Sequence, residues 1–190
     1  MIDRLPTTVE IDGKDYPIRS NFYIGIKMDN MIHDPEVKGY ELITRALSLY
    51  YTEIPHNLEQ ALEKLIWFYA CGEPTESNEK SERAYSFEVD DRLIYAAFLD
   101  QYGIDLCEIK YLHWWKFMGL FEGLREDHRI VQIMGYRLKK IDRKMPKAER
   151  DFYADMKRRY ALETTKKRIT LAERDKQMKD YVKRRLEVKR

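Results

Sequence analysis

The chain has 190 residues, 44% hydrophobic and 36% charged, a charge load well above the ~25% of ordinary globular domains. That composition supports one core of good size with long solvated helical faces. It excludes a bilayer-embedded class, because no apolar run nears the ~20 residues a spanning helix requires. The net charge of +2 conceals an asymmetry: residues 1–136 hold 14 Lys+Arg against 24 Asp+Glu, net −10, and residues 137–190 hold 21 against 9, net +12. An acidic body with a basic C-terminal part points to a nucleic-acid contact or to a protein contact between opposite charges. The two parts can also attract each other, within one chain or between chains.

The first element is a hairpin. Thr8-Val9-Glu10-Ile11 and Lys14-Asp15-Tyr16-Pro17-Ile18 flank Asp12-Gly13, a two-residue turn signal between alternating apolar and polar residues. An isolated hairpin is marginal in water, so it must lie on the helices. Helices are predicted over Phe22 to Ile32, where Gly25 weakens the pattern, and over Tyr40 to Tyr51. The next helix is the clearest. Asn57 is a good N-cap, and Leu58, Ala61, Leu62, Leu65, Ile66 and Tyr69 recur at helical spacing before Gly72 and Pro74 stop it.

Residues 73–83 are polar and acidic and read as a loop. Asp90 or Asp91 caps a helix that carries Leu93, Ile94, Ala97 and Phe98 and ends at Gly103. Asp105 to about Leu124 is apolar nearly all round and is predicted as one central helix. Another helix is predicted from near Asp127 to Met145. Beyond Pro146 there is neither Gly nor Pro, and a long, mostly exposed, charged helix is expected, or a segment that orders on binding.

The chemistry-bearing residues are few. His33, His56, His113 and His128 form no metal-ligand spacing, and Cys71 and Cys107 stand far apart, the usage of a reduced compartment. His113 reads as a core or near-surface histidine satisfied by a neighbour. Asp90-Asp91 and Glu126-Asp127 each stand at a predicted helix start, where carboxylates favour the dipole over acid–base work. No catalytic, cofactor-binding or metal-binding residue is assigned, no cofactor is expected, and the chain is read as a non-enzyme. The start Met1-Ile2-Asp3-Arg4 lacks the pattern of a secretion signal, so a cytosolic protein is expected.

Trp114-Trp115 is the most unusual pair. Neighbouring residues diverge by ~100° on a helix, so one ring fills the core while the other reaches a groove or the surface; burial of both in a broad core is the plainer reading. Trp114, Trp115, Phe117 and Phe121 are the candidate partner-binding residues. The clusters Lys157-Arg158-Arg159, Lys166-Lys167-Arg168 and Lys183-Arg184-Arg185 invite a nucleic-acid reading. Interspersed acids favour a solvated helix face instead.

Several blocks resemble the phage gene-product-fifteen family. They are Trp67-Phe68-Tyr69-x-Cys71-Gly72, Tyr85-Ser86-Phe87-x-x-Asp90-Asp91-x-x-Ile94-Tyr95-x-x-Phe98, Tyr102-Gly103-Ile104-Asp105-Leu106, Leu112-His113-Trp114-Trp115-Lys116-Phe117 and Gly135-Tyr136-Arg137. In phages and prophages of Gram-positive bacteria such genes lie between the major tail protein and the tape-measure protein. The resemblance implies tail assembly in the host bacterial cytoplasm, as a chaperone for the tape-measure protein, with other tail proteins or a second copy of the chain as further partners. A structural tail component retained in the virion and a nucleic-acid-binding phage protein are the alternatives. The fold expected is mainly α, a single helical domain over residues 1–145 with a small N-terminal β-hairpin, and residues 146–190 form a charged, basic C-terminal helical extension.

Overall fold

A computed structural model describes residues 5–73 and 82–162. Among these the architecture is mainly helical: β1 (Thr8–Ile11), β2 (Lys14–Pro17), then α1 (Phe22–Ile32), α2 (Tyr40–Tyr50), α3 (Leu58–Tyr69), α4 (Asp91–Tyr102), α5 (Trp114–Glu122), α6 (Arg129–Leu138) and α7 (Lys147–Arg159). The strands pair antiparallel, with Ile11 opposite Lys14 across the Asp12-Gly13 turn. Both turn residues have positive φ, as a tight two-residue connection requires. Val9, Ile11, Tyr16 and Ile18 face the helices and are buried, so the hairpin borrows the helical core.

Local chemistry explains most boundaries. The Asn57 side chain accepts from Gln60 N and caps α3, and Gly103 ends α4 in the left-handed conformation. Arg19 donates to the carbonyls of Ser48, Leu49 and Tyr51 and so gathers the free end of α2.

The predicted helix from Asp105 to Leu124 is corrected to α5 alone. Asp105 folds its own turn, accepting from Cys107 N at 2.8 Å and Glu108 N at 3.3 Å. The chain then runs extended beside residues 20–22. Phe22 N donates to Leu112 O, Trp114 N to Ser20 O, and the Asn21 side chain to Lys110 O. Backbone groups that a longer helix would pair internally are spent on that neighbour.

The predicted helix to Met145 likewise stops at Leu138. Asp142 accepts from Lys144 N and Met145 N, making a turn ahead of Pro146. Beyond that turn α7 packs on α6: Tyr136 meets Phe152, Tyr153 and Tyr160 at ring separations of 6.2, 6.5 and 6.1 Å. The boundary placed at Met145 therefore divides two helices that touch. The rest of the expected long charged helix, with Lys166-Lys167-Arg168 and Lys183-Arg184-Arg185, lies outside the described residues, as does most of the acidic loop.

Candidate functional site: an aromatic corner between α3 and α5

The core is built on rings. Phe117 is fully buried and stacks on Phe22, Phe98 and Trp114, with centroids 5.2, 5.0 and 5.7 Å away. Phe121 continues the stack at 6.3 Å. Trp114 lies against α1 at Gly25, where any Cβ would overlap the indole. The glycine that weakens the helix pattern in sequence is thus the clearance for a tryptophan. This burial corrects the partner-binding assignment: Trp114, Phe117 and Phe121 fill the interior, because the extended residues 109–113 bring α5 into the core with its ring face inward.

The Trp114-Trp115 pair has a structural task. Trp114 Nε1 donates to Tyr69 O at 2.9 Å and Trp115 Nε1 to Phe68 O at 2.8 Å. Two adjacent indoles thus satisfy two of the last carbonyls of α3, groups that a helix end leaves without internal partners. His113 prepares them. It is 2% exposed, accepts from Trp115 N through Nδ1 and contacts Pro6 O through Nε2 at 2.9 Å. Nε2 therefore carries the proton and donates, and the ring is neutral. Burial holds its pKa below the ordinary value.

Trp115 is half-buried and meets Trp67, a residue the candidate list lacked. Their centroids are 5.3 Å apart with planes at 69°, and Trp67 is 39% exposed. Gly72 floors this corner: a Cβ there would come 3.0 Å from Trp115 Cη2 and 3.6 Å from Trp67 Nε1. Cys71 and Gly72 both have positive φ, and Cys71, as a non-glycine residue there, is strained. Burial first, then the charges of Glu122 and Glu73, push the Cys71 thiol up to about 12. The signal in sequence was that Trp67 lies off the apolar stripe of α3. That stripe is itself shifted: Ala61, Leu65 and Phe68 are buried while Leu58 and Ile66 are exposed, because Phe68 packs on Tyr50 at 5.2 Å.

Two polar clusters knit the chain elsewhere. Asp90 turns its carboxylate inward, accepting from Ser86 N and pairing twice with Arg137, at 2.6 and 3.0 Å. Both side chains are buried. Helix capping was expected of Asp90, but the stronger claim on its oxygens is this guanidinium; Asp91 keeps the place in the first turn of α4. Asp29 of α1 is 3% exposed and receives Tyr69 Oη at 2.8 Å and Arg83 Nη2 at 2.5 Å, with His33 Nδ1 at 3.5 Å. Burial alone would raise the Asp29 pKa, but hydrogen bonds from His33 and Tyr69 and the Arg83 charge bring it below the usual value. Above the cluster opens a groove of about 910 Å³ whose lining includes Asn30, His33, Arg45, Arg83 and Leu162. Among the described residues no group of His, Cys, Asp and Glu stands in metal-holding geometry, and no helix is long and apolar enough to cross a membrane.

A family model described as Bacteriophage Gp15 protein matches residues 1–162. The chain belongs to that family. No curated protein and no solved structure matches it. The blocks that carried the resemblance are largely architectural: Asp90 of one and Arg137 of another form the buried ion pair, and Trp114 and Phe117 are the centre of the core. The match also runs through α7 and ends at the last described residue.

Proposed function

We propose that this phage protein is a tail-assembly factor that works by binding, without catalysing a reaction, and that its client is the tape-measure protein in the host bacterial cytoplasm. Membership in a bacteriophage family supports the phage setting, and the tail-region role is what the family resemblance implies. The observation that carries a binding function is the corner of Trp67 and Trp115, half-open on a rigid helix junction. Tryptophan is among the residues most often found as energetic anchors of interfaces, and an amphipathic client helix needs such an apolar receptor.

Co-expression with the neighbouring tape-measure protein tests the reading. Trp67 makes ring contacts but does not tether a helix end as Trp115 does, so Trp67→Ala is the cleaner variant. The wild-type chain is expected to co-purify with the tape measure and keep it soluble. Trp67→Ala is expected to fold normally and to lose at least tenfold in capture, about 1.4 kcal/mol. A wild-type chain that neither captures nor solubilises the client overturns the function; capture undiminished by Trp67→Ala overturns the site.

A further inference from the structure

Two exposed patches of opposite charge stand at different places on the fold. The first is a ridge of α3. Leu58, Leu62 and Ile66 follow at i, i+4 and i+8 and so share one side of the helix. Leu58 is 53% exposed, Ile66 is exposed and Leu62 is half-buried. Glu59 and Glu63 form the adjoining row and are exposed. Residues 53–63 hold three Glu and no Lys or Arg, and Lys64 lies on the far side of the helix from Leu62. Glu53 pairs with Lys14.

The second patch is the turn from α6 into α7. Leu138, Ile141 and Phe152 are exposed there, Phe152 by 49%, and Phe152 reaches Tyr136, two residues before Leu138. Residues 139–150 hold six Lys+Arg against Asp142 and Glu149, and Asp142 turns an oxygen to Lys144 N. Among the described residues none of these six bases makes an ion pair, and neither Glu59 nor Glu63 does.

Each patch thus joins exposed apolar side chains to charges that no described neighbour balances, and the charges of the two are complementary. Both patches belong to packed helices, α3 on α2 and the hairpin, α6 on α4 and α7, and both stay exposed in the molecule that carries them. A second copy brings a basic turn to every acidic ridge. Like patches do not suit one another, because ridge on ridge sets Glu against Glu and turn on turn sets Lys against Lys.

We infer that the α6–α7 turn of one copy docks on the α3 ridge of a second copy, its apolar side chains on Leu58, Leu62 and Ile66 and its lysines toward Glu59 and Glu63. The two surfaces differ, so the contact is heterologous: a pair keeps one free ridge and one free turn, and association does not stop at two unless the copies close on themselves. The inference does not depend on the client proposed above.

Sedimentation velocity on the full chain at low salt, between about 1 and 200 µM, reads the contact. The mean mass of the wild type is expected to rise past that of two copies over this range. Reversal at the ridge, Glu59→Lys/Glu63→Lys, and reversal at the turn, Lys140→Glu/Lys144→Glu, are each expected to weaken association at least tenfold. The chain that carries all four changes exchanges the charges and is expected to regain it. All four positions are exposed, and circular dichroism checks that each variant is folded; if one reversal unfolds the chain, the other decides. A wild-type chain that stays monomeric overturns the inference and leaves the patches to other partners. A folded reversal without effect overturns the role of its patch, and a folded fourfold variant that stays monomeric overturns the pairing of their charges. Capture of the tape measure is read separately by co-purification, so either reading can fail alone.

Discussion

Helices α5 and α7 make opposite use of their residues. The nine residues of α5 bury Trp114, Phe117 and Phe121, while the thirteen of α7 bury none. α5 is fixed by ring stacking and by indole hydrogen bonds into α3. α7 is fixed at its rim, by Tyr136 against its aromatic residues, by the Lys157–Glu82 pair, and by Arg137 Nε donating to Tyr160 O at 2.6 Å. Arg129 also meets Tyr160, by hydrogen bond and over its ring at 5.1 Å. The same chain thus holds a helix whose removal empties the core and one that buries no residue of its own. That contrast predicts a wide spread of mutational costs.

The largest effect is expected at the Gly25–Trp114 contact. Trp114→Ala leaves a cavity in the ring stack and strips the donor from Tyr69 O, a loss of about 3–5 kcal/mol. Gly25→Val forces the indole out of its place, and overpacking of this kind costs about 1–3 kcal/mol or more. Chemical denaturation measures both. If Gly25→Val unfolds at the wild-type midpoint, the close packing of α1 on Trp114 is wrong.

The Asp90–Arg137 pair comes next, because it is buried and joins the start of α4 to the last turn of α6. Either Asp90→Ala or Arg137→Ala leaves one charge buried without its partner, at about 3–5 kcal/mol. The pair Asp90→Leu/Arg137→Met is expected to recover most of that loss, since the desolvation penalty leaves with both charges. A double variant no more stable than the singles would mean that the bonds from Arg137 to Ala84 O and Tyr160 O, rather than the ion pair, hold this junction.

The contrast also marks what the sequence could reveal. The hairpin, α1 to α4 and their stops were legible, because each rests on local chemistry: Asp-Gly at the turn, Asn57 at a cap, Gly103 at a stop. The extent of α5 was not. Residues 104–113 are apolar enough for a helix, and only the neighbouring strand-like stretch at Ser20–Phe22 shows where their backbone groups go. At the candidate site, the divergence of Trp114 and Trp115 left open which ring, if either, is exposed; Trp114 is buried and Trp115 half-buried. Phe117 and Phe121 fell on the wrong side because a helix apolar all round does not announce which face is outermost. Trp67 lies off the α3 stripe in the sequence, and only its contact with Trp115 brings it to the corner.

A chain ending at Met145 breaks the comparison at its weaker side. It lacks α7 and the acceptor that Tyr160 gives Arg137, but no buried ring. Cooperative thermal unfolding is expected to persist, with a stability loss of about 1–3 kcal/mol, the range for one charged hydrogen bond and its rim contacts. Loss of cooperativity would show that α7 completes the core after all, and that the division at Met145 is not a domain boundary.

The smallest effects are expected from two histidines, and their signs differ. His33 is bound chiefly by the Asp29 side chain, which raises its pKa above 6.5; burial and the Arg83 charge act against this. A raised folded-state pKa contributes stability that is complete below the unfolded value and is lost as pH rises through the folded one. His113 is the reverse. Burial lowers its pKa, the Lys116 charge acts the same way and the Pro6 carbonyl opposes them; a second proton would also remove the acceptor that Nδ1 offers Trp115 N. Its contribution is complete above the unfolded value and falls away as pH drops toward the folded one. His33→Gln is therefore expected to cost more at about pH 5.5 than at pH 8, the interval in which histidine titrates. His113→Asn keeps a capping acceptor that cannot be protonated, so its cost relative to wild type is expected to shrink over the same acidification. Urea midpoints at the two pH values measure both gaps. Gaps that move in the same direction would remove either the Asp29–His33 contact on α1 or the neutral ring at the start of α5.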